Sequence, residues 1–148
     1  MPILITFFLI FFLSFKNSYS KDEYFLTLRN EKVNLRQGPS FDYPIKLLYK
    51  KKFLPLLVQD TSDNFRKVRD HENNSGWVHI SQLSKKKAAI VINEELIMFS
   101  ASTIYSNPVA LVKKGRLVKI SKCKNKWCKV ETGEFKGWLK KNGLWGLY

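Results

Sequence analysis

Cysteine, histidine and glycine are all scarce in this 148-residue chain, which has two, two and seven of them. Neither His71 nor His79 stands in a metal-ligand spacing with Asp, Glu or Cys, and no glycine-rich phosphate loop precedes a helical segment. No metal centre or nucleophile–base pair can be assembled from these residues, so neither an enzyme nor a cofactor is expected. Acid is also short: 12 Asp and Glu stand against 26 Lys and Arg, a formal net charge of +14. No window has the length and periodicity of an amphipathic helix. The longest apolar run, from Pro2 to Phe15, is about 14 residues, short of the roughly 20 that a bilayer-crossing helix needs.

That run has the length of the apolar core of a secretory signal, and Ser18-Tyr19-Ser20 places small residues at −3 and −1 of a cut after Ser20. Residues 1–20 are therefore expected to be a signal peptide and the protein to be exported, periplasmic or extracellular. The segment before the run has no Lys or Arg, and Lys16 follows it instead; an uncleaved anchor or a buried helix is the competing reading. No lipobox cysteine stands near the cut. Cleavage would remove one lysine and no acid, leaving 25 basic and 12 acidic residues, a net +13. A cation of that density outside the cytoplasm is drawn to anionic surfaces, whether cell-wall polymer, acidic glycan or membrane surface. Nucleic acid, the usual partner of such a charge, is set aside by export.

What the chain does have is self-similarity. Gly76-Trp77 recurs as Gly137-Trp138 at an offset of 61, and Phe65-Arg66-Lys67-Val68 recurs as Trp127-Cys128-Lys129-Val130 at 62. Pro44-Ile45 matches Pro108-Val109 at 64, so one unit of about 60 residues is used twice, with about three residues lost from one hairpin. Short alternating or apolar runs (25–28, 32–36, 54–58, 65–69 and 77–80, then 96–99, 117–121, 127–131 and 135–139) are separated by turn clusters such as Gly38-Pro39-Ser40 and Glu72-Asn73-Asn74-Ser75-Gly76. Short strands at regular spacing imply an all-β fold of small barrels. The expected division is 21–86 and 87–148, joined through Ser84-Lys85-Lys86-Lys87, each half too small to be secure alone.

The order Val33-Asn34-Leu35-Arg36-Gln37-Gly38-Pro39-Ser40, Tyr43-Pro44-Ile45, Val68 and Gly76-Trp77-Val78 closely resembles the bacterial SH3-like (SH3b) domain. The second half, with Cys123, Trp127-Cys128, Val130, Gly137-Trp138 and Leu144-Trp145-Gly146, resembles the matching repeat of exported two-repeat proteins of that family. The resemblance spans about residues 24–147 and implies two tandem SH3-like β-barrels and a binding scaffold, whose ligand the fold does not name. With an ungapped offset of 64, Ala101-Ser102-Thr103-Ile104 stands where the first half has Gln37-Gly38-Pro39-Ser40, so only the first repeat is expected to keep a standard groove, with the second as its packing partner.

The candidate ligand-binding residues are Arg36, Phe41, Tyr43 and Trp77. An arginine among aromatics can grip a carboxylate while rings stack on a sugar or peptide face; equally, Arg36 can pair with Asp42 and only brace its loop. Trp77 and Trp138 read first as core, because a buried indole is the largest stabilisation so small a fold can obtain. Trp145 and Tyr148 are expected to pack back onto the second barrel. His79, two places after Trp77 on one strand, shares its face and reads as structural. Cys123 and Cys128 flank the turn Lys124-Asn125-Lys126, and in an exported chain an even count reads as a disulfide, worth roughly 2 kcal/mol for so short a loop. The expected function is recognition of peptidoglycan or its stem peptides; the alternative is an envelope scaffold binding an extended segment of a partner protein, and a purely electrostatic adhesin is the third reading.

Overall fold

The computed structural model describes residues 21–148; the expected leader at 1–20 lies outside them. Among the described residues the regular structure is all strand, apart from two single 3-10 turns at Ile80–Gln82 and Lys141–Gly143. The first half holds β1 (Tyr24–Leu28), β2 (Val33–Arg36), β3 (Ile45–Tyr49), β4 (Pro55–Ser62), β5 (Phe65–Arg69), β6 (Ser75–His79) and β7 (Leu83–Ser84). The second holds β8 (Ala88–Val91), β9 (Glu95–Phe99), β10 (Pro108–Lys113), β11 (Leu117–Lys124), β12 (Trp127–Thr132), β13 (Phe135–Lys140) and β14 (Leu144–Trp145). Each half makes one seven-stranded antiparallel sheet, and the orders β3-β2-β6-β5-β4-β1-β7 and β10-β9-β13-β12-β11-β8-β14 are the same order twice. The all-β, two-module architecture expected from the sequence is the one found.

Strand pairing fixes the correspondence between the halves and amends the sequence alignment. Arg36 pairs with Trp77 and Phe99 with Trp138, so Arg36 matches Phe99 at an offset of 63, one short of the ungapped 64. Ile45 opposite Arg36 likewise matches Pro108 opposite Phe99. The drift to 61 comes from two separate single deletions, one between the third and fourth strands of the unit and one in the β5–β6 hairpin, where Arg69↔Ser75 becomes Glu131↔Lys136. A loop absorbs one residue without disturbing register, whereas a slip inside a strand would turn every buried side chain outward.

The recurrent Gly-Trp pair has a packing cause. A Cβ on Gly76 would meet the Arg36 carbonyl oxygen at 2.7 Å and the Leu35 side chain at 2.7 Å; on Gly137 it would meet the Phe99 carbonyl and Met98, both at 2.6 Å. The glycine lets one strand cross another closely, and alternation then puts the tryptophan on the outer face. Trp77 and Trp138 are accordingly half-buried, while Val78 and Leu139 beside them are fully buried. The expectation that these indoles form the core is corrected: they lie on the face opposite Gly76 and Gly137.

Two cores result, one around Leu28, Leu35, Leu56, Val68 and Val78, the other around Val91, Met98, Val118, Val130 and Leu139. They meet at a seam, for Ile90 of β8 belongs to the first core. The C-terminus closes this seam. The Trp145 ring meets Phe25 edge-on at 5.0 Å, and the Tyr148 ring lies 5.0 Å from Phe25, so both pack on the first repeat and not, as expected, on the second. Gly146 permits the turn that carries them there: its φ is +125°, and a Cβ would strike the Ala88 carbonyl at 2.7 Å and Pro55 at 2.8 Å. The linker is equally tied down, the Thr27 hydroxyl donating to the Lys86 carbonyl at 2.7 Å. Within the first repeat, buried Asp70 accepts from the Asn74 backbone N–H, the Asn74 amide and the Tyr49 hydroxyl, which fixes the turn before β6.

Candidate functional site

All four residues expected to bind ligand come together at one end of the first repeat. Arg36 and Trp77 are directly opposite across β2 and β6, so their side chains share a face. The Arg36 guanidinium stands 5.3 Å from the centre of the Phe41 ring, and its Nη1 donates to the carbonyls of Phe41 (3.2 Å) and Tyr43 (3.0 Å). It braces the 37–44 loop, as the plainer reading held, but through backbone oxygens and not through Asp42. Gly38 lies flat beneath the Tyr43 ring, where a Cβ would come within 2.4 Å.

Phe41 decides what this end can do. Its ring lies 5.2 Å from Phe65 and 5.1 Å from His79, which are themselves 5.1 Å apart. His79 is structural here: its Nδ1 accepts from the Ser81 N–H and caps the 3-10 turn. The space between the loop, the β4–β5 turn and the 3-10 turn is therefore taken by the protein's own aromatic ring.

The same place in the second repeat is open. Trp127 matches Phe65, since Trp127↔Lys140 repeats the pairing Phe65↔His79. The adjoining bonds repeat too, Ile80 N–H to the Asn64 carbonyl at 2.9 Å becoming Lys141 N–H to the Lys126 carbonyl at 2.8 Å. With the loop lengths equal, Ile104 matches Phe41 and Ser106 matches Tyr43. Ile104 does not reach across, and a groove of about 800 Å³ remains between the 102–104 loop, the 125–127 hairpin and the second 3-10 turn. Its walls carry Trp127, Ile104, Lys126, Lys140 and Lys141.

Hydrogen bonds, ring contacts and a disulfide tie the walls of this groove together. Ser106 replaces the arginine brace, its hydroxyl donating to the Thr103 carbonyl at 2.7 Å and accepting from the Ala101 N–H at 3.2 Å. Phe99 packs edge-on against Trp127 at 5.7 Å, and the Lys140 ammonium stands 5.9 Å from the Trp127 ring centre. The hairpin wall is closed by the disulfide Cys123–Cys128, which joins two residues directly opposite in register with Cα atoms 4.0 Å apart. An indole wall beside three ammonium groups can hold an extended ligand that alternates apolar or sugar faces with carboxylates.

The sequence points away from this groove, because the second repeat lacks the Arg36-Gln37-Gly38-Pro39 turn that implies a standard groove in the first. The signal that could have found it is the substitution of Phe41 by the shorter Ile104, visible only once the offset is 63. Among the described residues, no group of three or more His, Cys, Asp or Glu is placed to hold a metal ion.

Comparison with known proteins gives a family match in both halves. The model of the bacterial SH3 domain matches residues 29–85 and again 93–146. No curated protein matches the chain. Among solved structures, that of NlpC2 from Trichomonas vaginalis is similar with 12% identity and a TM-score of 0.39, covering 86% of this chain and 49% of its own. That of NlpC1 from the same organism is similar with 13% identity and a TM-score of 0.38, covering 86% and 47%. This chain thus spans about half the length of either.

Proposed function

This chain belongs to the bacterial SH3 domain family and carries the domain twice, and from that premise we propose that it is an exported, non-catalytic recognition module for peptidoglycan or its stem peptides, binding through the groove of the second repeat. The observation that carries the reading is the contrast between the two repeats: one slot is plugged by Phe41, while its counterpart stands open with Trp127 on one side and Lys126, Lys140 and Lys141 around it. Stem peptides present carboxylates along an extended backbone, and the glycan presents flat sugar faces. Ammonium groups and an indole match those two features. The net +13 of the cleaved chain adds long-range attraction to an anionic wall.

A second reading is an envelope scaffold that binds a partner's extended segment. It is favoured by the sheet edge at β10, an outermost strand bearing the exposed side chains of Val109 and Leu111. Retention on purified, protein-free peptidoglycan at about 0.15 M salt separates the readings, since screening at that ionic strength weakens simple charge attraction. Retention supports wall recognition. Release by salt alone leaves only an electrostatic adhesin, and specific recovery of one envelope protein supports the scaffold.

A further inference from the structure

Phe53 occupies a position that the second repeat gives to glycine. Its N–H donates to the Leu28 carbonyl at 2.9 Å, as that of Gly115 donates to the matching Val91 carbonyl at 2.8 Å. Both residues are left-handed, Phe53 with φ +65° and Gly115 with φ +82°. Glycine takes that conformation freely, whereas an aromatic side chain there is strained by about 1–3 kcal/mol. A Phe held in a glycine position needs a reason beyond the turn.

The surroundings supply one. Three lysines, each from a different part of the chain, direct their ammonium groups to this ring: Lys52 at 5.3 Å from its centre, Lys86 at 5.8 Å and Lys119 at 5.2 Å. Lys52 belongs to the first repeat, Lys86 to the linker and Lys119 to β11 of the second. No two of these ammoniums can be more than about 11 Å apart, given their distances from one centre. The acid nearest in register, Glu131 opposite Lys119, lies 3.8 Å from Lys136 instead, and none of the ion pairs among the described residues involves the three lysines. Lys86 also lines a concavity of about 390 Å³, with Lys85, Lys87, Tyr24 and Tyr148.

We propose that Lys52, Lys86 and Lys119 around Phe53 form a second binding site, at the seam between the repeats, for a phosphate group. A carboxylate has two oxygens and one negative charge to share among three separate ammonium donors; a terminal phosphate offers three oxygens and close to two charges at neutral pH, the nearer match to three cations. The Phe53 ring forms an apolar floor for whatever carries the phosphate. Because donors come from both repeats and the linker, the site exists only while the seam is closed, and occupancy holds the two repeats together. It is separate from the groove at Trp127 and does not rest on the wall-binding reading.

The test is a titration of the ¹⁵N-labelled protein with inorganic phosphate, read by amide shifts, and with anionic vesicles containing phosphatidate, whose phosphate is terminal, or vesicles of purely zwitterionic phospholipid, read by co-sedimentation. The variant is Lys52→Gln/Lys86→Gln/Lys119→Gln, and the control is Lys32→Gln/Lys67→Gln/Lys124→Gln, which removes the same charge elsewhere. The expected result is saturable phosphate shifts centred on residues 52–54, 86 and 119, lost in the seam variant and kept in the control. Binding of anionic vesicles that fails only in the seam variant then identifies a lipid headgroup as the source, and phosphate binding without vesicle binding identifies a soluble phosphate. Shifts that never saturate, or that fall equally in both triple variants, overturn the site. The same spectra report whether each variant is folded.

Discussion

Phe41 lies 5.2 Å edge-on from Phe65, filling in the first repeat the space that the matching Ile104 leaves open beside Trp127 in the second. One fold used twice has thus produced one plugged slot and one open groove: on loops of equal length Ile104 stands for Phe41, and the walls change with it, Trp127 for Phe65 and Lys140 for His79.

Shortening that plug tests the assignment of the two slots. Phe41 is 64% exposed, so Phe41→Ala is expected to cost no more than about 1 kcal/mol, the worth of its aromatic contacts. Retention on peptidoglycan should stay at the wild-type level or rise as the first slot opens. A tenfold fall would return the binding site to Arg36, Phe41 and Tyr43.

The C-terminal latch packs onto Phe25 of the first repeat, so the two repeats are expected to unfold as one cooperative body. Trp145→Ala removes the ring that meets Phe25 at 5.0 Å and is expected to cost roughly 2 kcal/mol, less than a fully buried indole because Trp145 is half-buried. Thermal unfolding followed by calorimetry should change from one transition to two. A single transition of unchanged midpoint would show that the seam contributes nothing.

Reduction of Cys123–Cys128 should act on the groove as well as on stability. The loop it closes is short, so the loss is about 2 kcal/mol, confined to the second repeat. The hairpin bearing Asn125 and Lys126 forms one wall, and reduced protein should bind peptidoglycan more weakly while the first repeat keeps its amide shifts.

Alkaline titration has a definite sign. Burial, then the charge of Asp70, raise the Tyr49 phenol well above its ordinary value of 10.0. The fold therefore favours neutral Tyr49, a contribution fully present below the unfolded value and progressively lost as pH rises above it. Absorbance of phenolate should show Tyr49 silent until the protein unfolds, and Tyr49→Phe should flatten the alkaline loss of stability. Ionisation of Tyr49 with the exposed tyrosines would contradict the buried Tyr49–Asp70 bond.

The fold was largely legible because its signals are local. Gly-Trp, turn clusters and alternating strands each follow from backbone geometry within a few residues, and the Cys pair needed only one hairpin. The site was half legible. Arg36, Phe41, Tyr43 and Trp77 do converge, but whether a ring fills a slot or lines it depends on register, and an alignment displaced by one residue set Ser100 rather than Phe99 against Arg36. The seam was not legible: Phe25 and Trp145 are 120 positions apart, and no periodicity joins them.

The most direct test of groove recognition is calorimetric titration of the protein with soluble peptidoglycan fragments, comparing wild type with Trp127→Ala and with Lys140→Gln/Lys141→Gln. Saturable binding to the wild type, weakened at least tenfold (~1.4 kcal/mol) in each variant with the melting temperature nearly unchanged for the lysine pair, is the predicted result. Equal binding by all three proteins would contradict it.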